Sequence, residues 1–260
     1  MFSNTFFRRT SYFIFFLTVL VSCKEADYEV QELVETEKVD SLPVVSERPL
    51  VLETIIGDFE QSLIDQGLVN LQQVDSTILV DLKYSTQDNF FKEDVYQDLE
   101  NAYLPIEVAQ MLLSANSQLQ AKFPDYRLLV FDAVRPHNIQ RILWEALDSL
   151  PVNLRKAYVA DPDLGSLHNY GCAVDLSIYD LRKDTLLDMG TKYDYFGYLA
   201  YPRKEAEMLE KDMLKSYHIS NRNLLRRVMQ SAGFRTIRSE WWHFNSTTLT
   251  EAKEKFLLIE

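Results

Sequence analysis

Ser166-Leu167-His168-Asn169-Tyr170-Gly171-Cys172-Ala173-Val174-Asp175 is the stretch on which the reading of this chain turns. A histidine stands just ahead of a glycine turn, and the residues after the glycine alternate. From Cys172 to Tyr179, Cys172, Val174, Leu176 and Ile178 fall on one face and Ala173, Asp175 and Ser177 on the other, which is the period of a strand. A turn followed by a strand can bring His168 and Asp175 to one side of a sheet edge. Ala173 and Ser177 are small and leave that face open around Asp175. A carboxylate alternating with Val and Leu in a buried strand is costly unless a cation or hydrogen bonds compensate it.

Downstream, Glu240-Trp241-Trp242-His243-Phe244 sets a carboxylate three residues before a histidine, between aromatics able to build a dry wall. Two histidines and a carboxylate make a reasonable catalytic zinc shell, the fourth position being left for water. Zinc lowers the pKa of that water and polarises a carbonyl. Glu240 can then take the proton and pass it to the leaving amine. An odd separation would put Glu240 and His243 on opposite faces of an ideal strand, so the motif requires a bend or a Glu240 in the loop before the strand. The residues alone also admit a blander reading, in which each histidine is a satisfied core side chain and Asp175 bonds backbone. Of the four histidines, His137 follows Pro136 at a helix start and His218 lies in a polar stretch; both read as surface residues.

Around these motifs the pattern is mixed. An amphipathic stretch runs from Val51 to about Gln66 and stops at Gly67, and Ile78–Leu82 reads as a strand. Val108, Met111, Leu112, Ala115 and Leu119 recur at helical spacing, predicting a helix over Pro105–Phe123. Tyr126–Val134 is an apolar strand, and Pro136 can start the helix that carries Ile139, Leu143, Ala146 and Leu147. Asn221 is a candidate cap for a helix bearing Leu224, Leu225, Val228 and Met229, stopped by Gly233; Phe234–Ile237 and Trp241–Asn245 then read as extended. The Lys- and Glu-rich Tyr198–Tyr217 reads as a surface helix rather than a lid. Helices that do not strictly alternate with strands predict an α+β fold.

The chain has 260 residues, 47% of them hydrophobic, with 15 Phe, 14 Tyr and 3 Trp, which excludes wholesale disorder. Arg8-Arg9, the apolar run Tyr12–Val21 and the ending Leu20-Val21-Ser22-Cys23 describe an export signal too short for a transmembrane helix. The ending resembles a bacterial lipobox, in which the cysteine after the cut carries the lipid; an ordinary signal peptide or an uncleaved anchor is the alternative. The expected organisation is a lipoprotein signal over 1–22, a flexible acidic tether over 23–50 and a catalytic domain over 51–260, exported and lipid-anchored on Cys23 in the bacterial envelope, facing the periplasm or on the outer membrane. Removing 1–22 takes away two arginines and no acids, so the mature charge is 25 − 39 = −14. Such a surface repels nucleic acid, and no stretch looks like a basic groove. With Cys23 lipidated only Cys172 remains, so no intramolecular disulfide forms.

Ser-x-His-x-x-Gly-x-Ala-x-Asp followed by Glu-x-x-His resembles the zinc peptidases that include D-Ala-D-Ala dipeptidases and carboxypeptidases, whose fold the hedgehog signalling domain shares. The dipeptidase branch is the nearer likeness, through Tyr84-Ser85-Thr86 with Asn89-Phe90, Asp132-Ala133-Val134-Arg135-Pro136, Met189-Gly190-Thr191 with Asp194, and Glu240-Trp241-Trp242-His243. These landmarks stand in the family's order over roughly residues 70–246. The resemblance implies a small, mostly antiparallel central sheet flanked by helices, with a zinc cleft on the sheet. It implies one zinc ion per chain, held by His168, Asp175 and His243, with Glu240 as general base and Arg135 stabilising the oxyanion. For Arg135 the plain alternative is a structural salt bridge with Asp132. Asp194 and Ser166 would receive the ammonium of a small D,D-dipeptide, which a longer peptide does not offer, and Tyr84 would be a further substrate-binding residue; for Asp194 the alternative is a turn residue near Gly190.

Lys92 stands where many family members have Gly, Ala133-Val134 replaces Gly-Tyr before Arg-Pro, and Leu167 and Tyr170 replace smaller polar residues beside the first ligand. These departures touch the shape of the pocket and leave each catalytic position filled. Two rivals follow from the same residues: a peptidoglycan D,D-carboxypeptidase or endopeptidase acting on longer stems, and a zinc-containing binding protein without turnover. Nothing in the sequence specifies a protein partner or an oligomeric state.

Overall fold

The strand expected after the glycine turn is the centre of the molecule. The structure, a computed structural model, describes residues 56–156 and 158–260. The export signal, the tether and the first residues of the expected catalytic segment therefore lie outside the described residues. In chain order the elements are α1 (Asp58–Asp65), β1 (Leu68–Asn70), α2 (Leu71–Val74), β2 (Leu79–Val80), β3 (Tyr103–Pro105), α3 (Ile106–Lys122), β4 (Tyr126–Asp132) and α4 (His137–Glu145). There follow α5 (Val152–Arg155), β5 (Ala173–Asp180), β6 (Thr185–Leu186), α6 (Glu205–Glu210), α7 (Ser216–Ser231), β7 (Arg235–Thr236), β8 (His243–Asn245) and α8 (Leu249–Lys255).

One sheet runs β2-β4-β5-β8-β7 with β6 added to β5, while β1 and β3 form a separate antiparallel ribbon. In the larger sheet β2 and β4 are parallel and the other pairs antiparallel. The fold is thus α+β around a mostly antiparallel sheet, as the mixed pattern predicted. Val174, Leu176 and Ile178 of β5 enter a core shared with Val108, Leu112 and Leu119 of α3 and Leu225 and Val228 of α7. Each such side chain, buried, contributes about 1.5–3 kcal/mol. With helices covering that face, the Asp175 face is free to carry the cleft. No helix of the described residues is long and apolar enough to cross a membrane.

Three local expectations are corrected. The helix expected to start at Asn221 starts at Ser216, because Lys215 is extended and its N–H donates to Nδ1 of His218 at 3.0 Å. His218 takes the capping place and is buried rather than at the surface; Asn221 lies inside the helix and its Nδ2 donates to the Asp188 carbonyl at 2.8 Å. Tyr198–Tyr217 is no continuous surface helix: two short 3-10 turns lead into α6, and a positive φ of 56° at Asp212 separates it from α7. The break turns Glu205 inward onto Arg222 and Arg226 at 3.3 and 2.7 Å. Cys172 precedes β5 and packs with Tyr170 and Ala252 in a small separate cluster, where burial pushes its thiol up to about 11.

Candidate active site

The row of residues across the middle of the sheet builds the site. Asp175 on β5 stands opposite Asp132 of β4 on one side and His243 of β8 on the other. Directly opposed residues on antiparallel strands project to the same face, so three polar side chains share one spot above an apolar strand. The register slips between Val130 and Asp132, leaving Phe131 as the extra residue. That bulge brings Asp132 level with Asp175. Because β8 begins at His243, Glu240 lies in the irregular segment before it, and the odd spacing imposes no opposite face. Its Oε2 is 3.8 Å from His243 Nδ1.

His168 comes from a 3-10 turn, Leu167–Tyr170, immediately ahead of β5. Ser166 Oγ accepts the His168 N–H at 3.3 Å, and Asn169 Oδ1 accepts the Ser166 N–H at 2.7 Å. Gly171 ends the turn at φ +62°, and a Cβ there would sit 2.6 Å from Pro105 Cδ, so glycine is required on both counts. The turn is joined to the Arg135 segment: Arg135 N–H donates to the His168 carbonyl at 3.0 Å and Asn169 Nδ2 to the Arg135 carbonyl at 2.9 Å.

His168, Asp175 and His243 each offer a ligand atom, all within 4.8 Å of one another. His168 Nε2 is 3.3 Å from His243 Nδ1 and 3.5 Å from Asp175 Oδ1, which is itself 2.9 Å from His243 Nδ1. Ligands bonded at 2.0–2.2 Å to a tetrahedral ion stand about 3.3–3.6 Å apart, so the triangle fits one with little adjustment. The second nitrogens fit as well. His168 Nδ1 is 2.7 Å from the Ala133 carbonyl and His243 Nε2 is 2.7 Å from Asn245 Oδ1. Both partners accept, so each of those nitrogens keeps its proton and the nitrogen facing the cleft is left with its lone pair. Without a metal, burial lowers the pKa of His243 but the hydrogen bond and charge of Asp175 outweigh it, and the imidazole is held up to about 9. Burial works to raise the carboxyl of Asp175, but the charge and hydrogen bond of His168, joined by those of His243, hold it well below the usual carboxylate range.

Arg135 is buried and its Nε and Nη2 both meet Asp132 Oδ2, at 3.0 and 2.5 Å, while Nη1 reaches Gln140 Oε1 at 3.1 Å. The salt bridge to Asp132 therefore exists, and Arg135 nevertheless lines the cleft. Its guanidinium lies 5.0 Å from the Tyr84 ring centroid, and the Tyr84 hydroxyl donates to Asp194 Oδ2 at 3.2 Å. Asp194 takes φ +55° in a turn and also lines the cleft, so it is both the turn residue and the candidate pocket residue. Burial, with the nearby charge of Asp175, raises its carboxyl well above the ordinary value. Burial likewise raises Glu240, partly offset by His243. Tyr84, Ser166, Arg135, Asp194, Glu240 and the three ligand residues thus face one cavity of about 300 Å³, at the lower end of small-ligand pockets.

Two contributors went unread in the sequence. Asn245 is two residues beyond His243 and so on the same face of β8, a relation the strand period could have revealed. Tyr193, whose hydroxyl donates to Asp175 Oδ2 at 3.1 Å, had no such signal. His137, read as a surface residue, is half-buried with Nε2 2.9 Å from the Pro162 carbonyl, away from the ligand cluster.

Comparison with known proteins agrees with this construction. The Peptidase_M15 family model, described as D-ala-D-ala dipeptidase, matches residues 64–257. The D-alanyl-D-alanine dipeptidase of Escherichia coli (strain K12) is 32% identical over 184 residues, 68% of this chain and 83% of that protein. That of Enterococcus faecalis (strain ATCC 700802 / V583) is 27% identical over 195 residues, 69% of this chain and 91% of that protein. The solved LdcB LD-carboxypeptidase is a more distant likeness, at 17% identity and TM-score 0.35, covering 68% of this chain and 70% of that one. With its family model matched from the end of α1 to the end of α8, the chain belongs to the Peptidase_M15 family of D-ala-D-ala dipeptidases and is a metallopeptidase.

Proposed function

We propose that this chain hydrolyses D-alanyl-D-alanine, or a closely related D,D-dipeptide, using one zinc ion held by His168, Asp175 and His243. The observation that carries the reading is the convergence of those three donors at tetrahedral spacing, with the Glu240 carboxylate 3.8 Å from one of them. Zinc there supplies a Lewis acid that polarises the scissile carbonyl and acidifies a water. Glu240 accepts the proton from the attacking water and returns it to the leaving amine; burial raises its affinity for a proton, which suits both directions of transfer. Arg135, kept charged by Asp132 despite its burial, donates to the oxygen that gains charge in the transition state. Asp194, supported by the Tyr84 hydroxyl, receives the free ammonium, with Ser166 lining the same cleft. The half-buried Asp194 carboxylate has no ion-pair partner among the described residues, an arrangement that is costly when ionised, and an ammonium supplies the missing charge. The relatives named D-alanyl-D-alanine dipeptidase support this choice of substrate.

The test is amine release from D-Ala-D-Ala by the purified chain, before and after chelation, with L-Ala-L-Ala and N-acetyl-D-Ala-D-Ala alongside. Turnover of the free D,D-dipeptide alone, lost with chelator and restored by zinc, is expected. Turnover of the acetylated compound would move the chain to the carboxypeptidase rival, and inactivity on all three with zinc bound to the binding-protein rival. The joint presence of Glu240 and Arg135 in the cleft favours turnover.

The proposal includes the setting. Arg8-Arg9, the apolar run after them and the Leu-Val-Ser-Cys ending at Cys23 support export and lipid anchoring in the bacterial envelope. Metabolic labelling with an alkyne fatty acid should mark the wild type and leave Cys23→Ser unmarked and released from the membrane fraction. Labelling that survives Cys23→Ser would remove the anchor from the reading.

A further inference from the structure

We infer that Tyr193 is a positioning residue that fixes Asp175 for the metal and ties the metal site to the turn carrying the amine-binding carboxylate. The inference rests on the metallodipeptidase reading for the roles of Asp175 and Asp194, and goes beyond it in assigning Tyr193. The two oxygens of Asp175 are used differently. Oδ1 faces the two imidazoles, at 2.9 and 3.5 Å. Oδ2 points away from them and accepts from the Tyr193 hydroxyl at 3.1 Å, with Arg135 Nη2 at 3.8 Å, beyond hydrogen-bond reach. Among the described residues the phenol is thus the one hydrogen-bond donor to Oδ2. A carboxylate free at that oxygen can rotate or bind a cation through both oxygens; one held there presents Oδ1 alone.

The phenol is delivered by a ring with little freedom. It packs on Phe131, Trp242 and Tyr84, with centroids 5.1, 5.5 and 6.4 Å away. Phe131 is the extra residue of the β4 bulge and Trp242 immediately precedes β8, so the elements that carry Asp132 and His243 also hold the ring. Asp194 is the next residue, at φ +55°, and Tyr84 touches both neighbours: its ring meets Tyr193 and its hydroxyl meets Asp194. Ammonium recognition and ligand orientation therefore leave the same turn, one residue apart.

Tyr193→Phe removes the hydroxyl and keeps the ring. Competition with a chromophoric chelator, which needs no substrate, should show zinc bound 10–100-fold more weakly, the range typical for loss of an outer partner of a metal ligand. At saturating zinc, kcat for D-Ala-D-Ala should fall about tenfold with KM changed less than twofold, whereas Asp194→Asn should act mainly on KM. The double variant should lose less than the product of the two single losses in kcat/KM, because one turn serves both groups. Wild-type zinc affinity in Tyr193→Phe would overturn the assignment. So would a metal-free variant that no longer melts cooperatively, since the hydroxyl would then belong to the fold. Multiplicative losses would overturn the coupling to Asp194. A wild type that binds zinc, responds to Tyr193→Phe in the chelator assay and leaves D-Ala-D-Ala intact would sink the dipeptidase reading while the Tyr193 assignment stands.

Discussion

Arg135 carries two duties that a single substitution separates. Its fork on Asp132 neutralises a carboxylate that is fully buried in the sheet row, and its remaining surface faces the cleft. Arg135→Ala removes the ion-pair partner of the buried Asp132 and leaves it only the Tyr96 hydroxyl and the Ala133 N–H as donors, so urea unfolding should show a loss of about 3–5 kcal/mol. Arg135→Lys retains the charge and loses the planar fork; it should remain folded while kcat falls by roughly 10²-fold, as for loss of one donor to a developing oxyanion. Glu240 behaves oppositely. It touches the ligand set only at 3.8 Å, so Glu240→Gln should leave zinc affinity within a few-fold of the wild type. Its kcat should drop by about 10²–10⁴, the range for removing a general base. A Glu240→Gln enzyme with near-normal kcat would transfer the base role elsewhere.

Two elements near the cleft carry predictions of their own. Lys92 adopts φ +65°, with its N–H donated to Asn89 Oδ1 at 2.8 Å. A side chain in the left-handed region is strained by about 1–2 kcal/mol, and glycine gives part of that back through its freer unfolded chain. Lys92→Gly should therefore raise stability by about 0.5–1 kcal/mol, seen as a rise of roughly 1–4 °C in melting temperature. The second element is α8, which packs through Ala252, with Phe256 just past its end, on the Tyr170 end of the His168 turn. Glu251 closes its first turn on Thr247 and Thr248, and those hydrogen bonds hold its carboxyl down to about 2. A carboxyl lowered by folding stabilises fully above its ordinary value near 4.5 and loses that contribution as pH falls towards 2. The protection factors of the α8 amides, taken against the intrinsic exchange rate at each pH, should fall over that window, and Glu251→Gln should abolish that fall.

At the scale of the whole molecule the proposed metal site would tie separate elements together. Asp175 is on the central strand, His243 on its neighbour β8, and His168 on the turn ahead of β5. A zinc ion bound to the folded chain alone stabilises by mass action, about 2.7 kcal/mol at a free concentration 100 times the dissociation constant. For a unit of this size that corresponds to a rise of roughly 5–10 °C in melting temperature. Titrating zinc into chelated protein in a calorimeter should show it, and His243→Ala should suppress it. An unchanged melting temperature would mean that the three donors do not act together.

Much of this was legible in the residues. The period of Cys172–Tyr179 identified the strand, the glycine ahead of it the turn, and the spacing of α3 and β4 their existence, because those signals are local: backbone geometry repeats every two or 3.6 residues whatever lies around it. The two motif segments also marked His168, Asp175, Glu240 and His243 as candidates, and the resemblance to the zinc peptidases implied which of them would hold the metal. What remained depended on distance in space. The start of α7 was misread because its cap is a histidine bonded to a backbone N–H, and Tyr198–Tyr217 because Glu205 is drawn inward by two arginines of α7. Tyr193 lies 18 residues from Asp175 and shares no period with it; only packing on Phe131 and Trp242 brings its hydroxyl to that carboxylate. Residue types at short spacings were enough to mark the groups proposed for the chemistry. How those groups are held follows from packing at long range: the register of β4, β5 and β8 places Asp132, Asp175 and His243 in one row, and no local pattern encodes a register between strands.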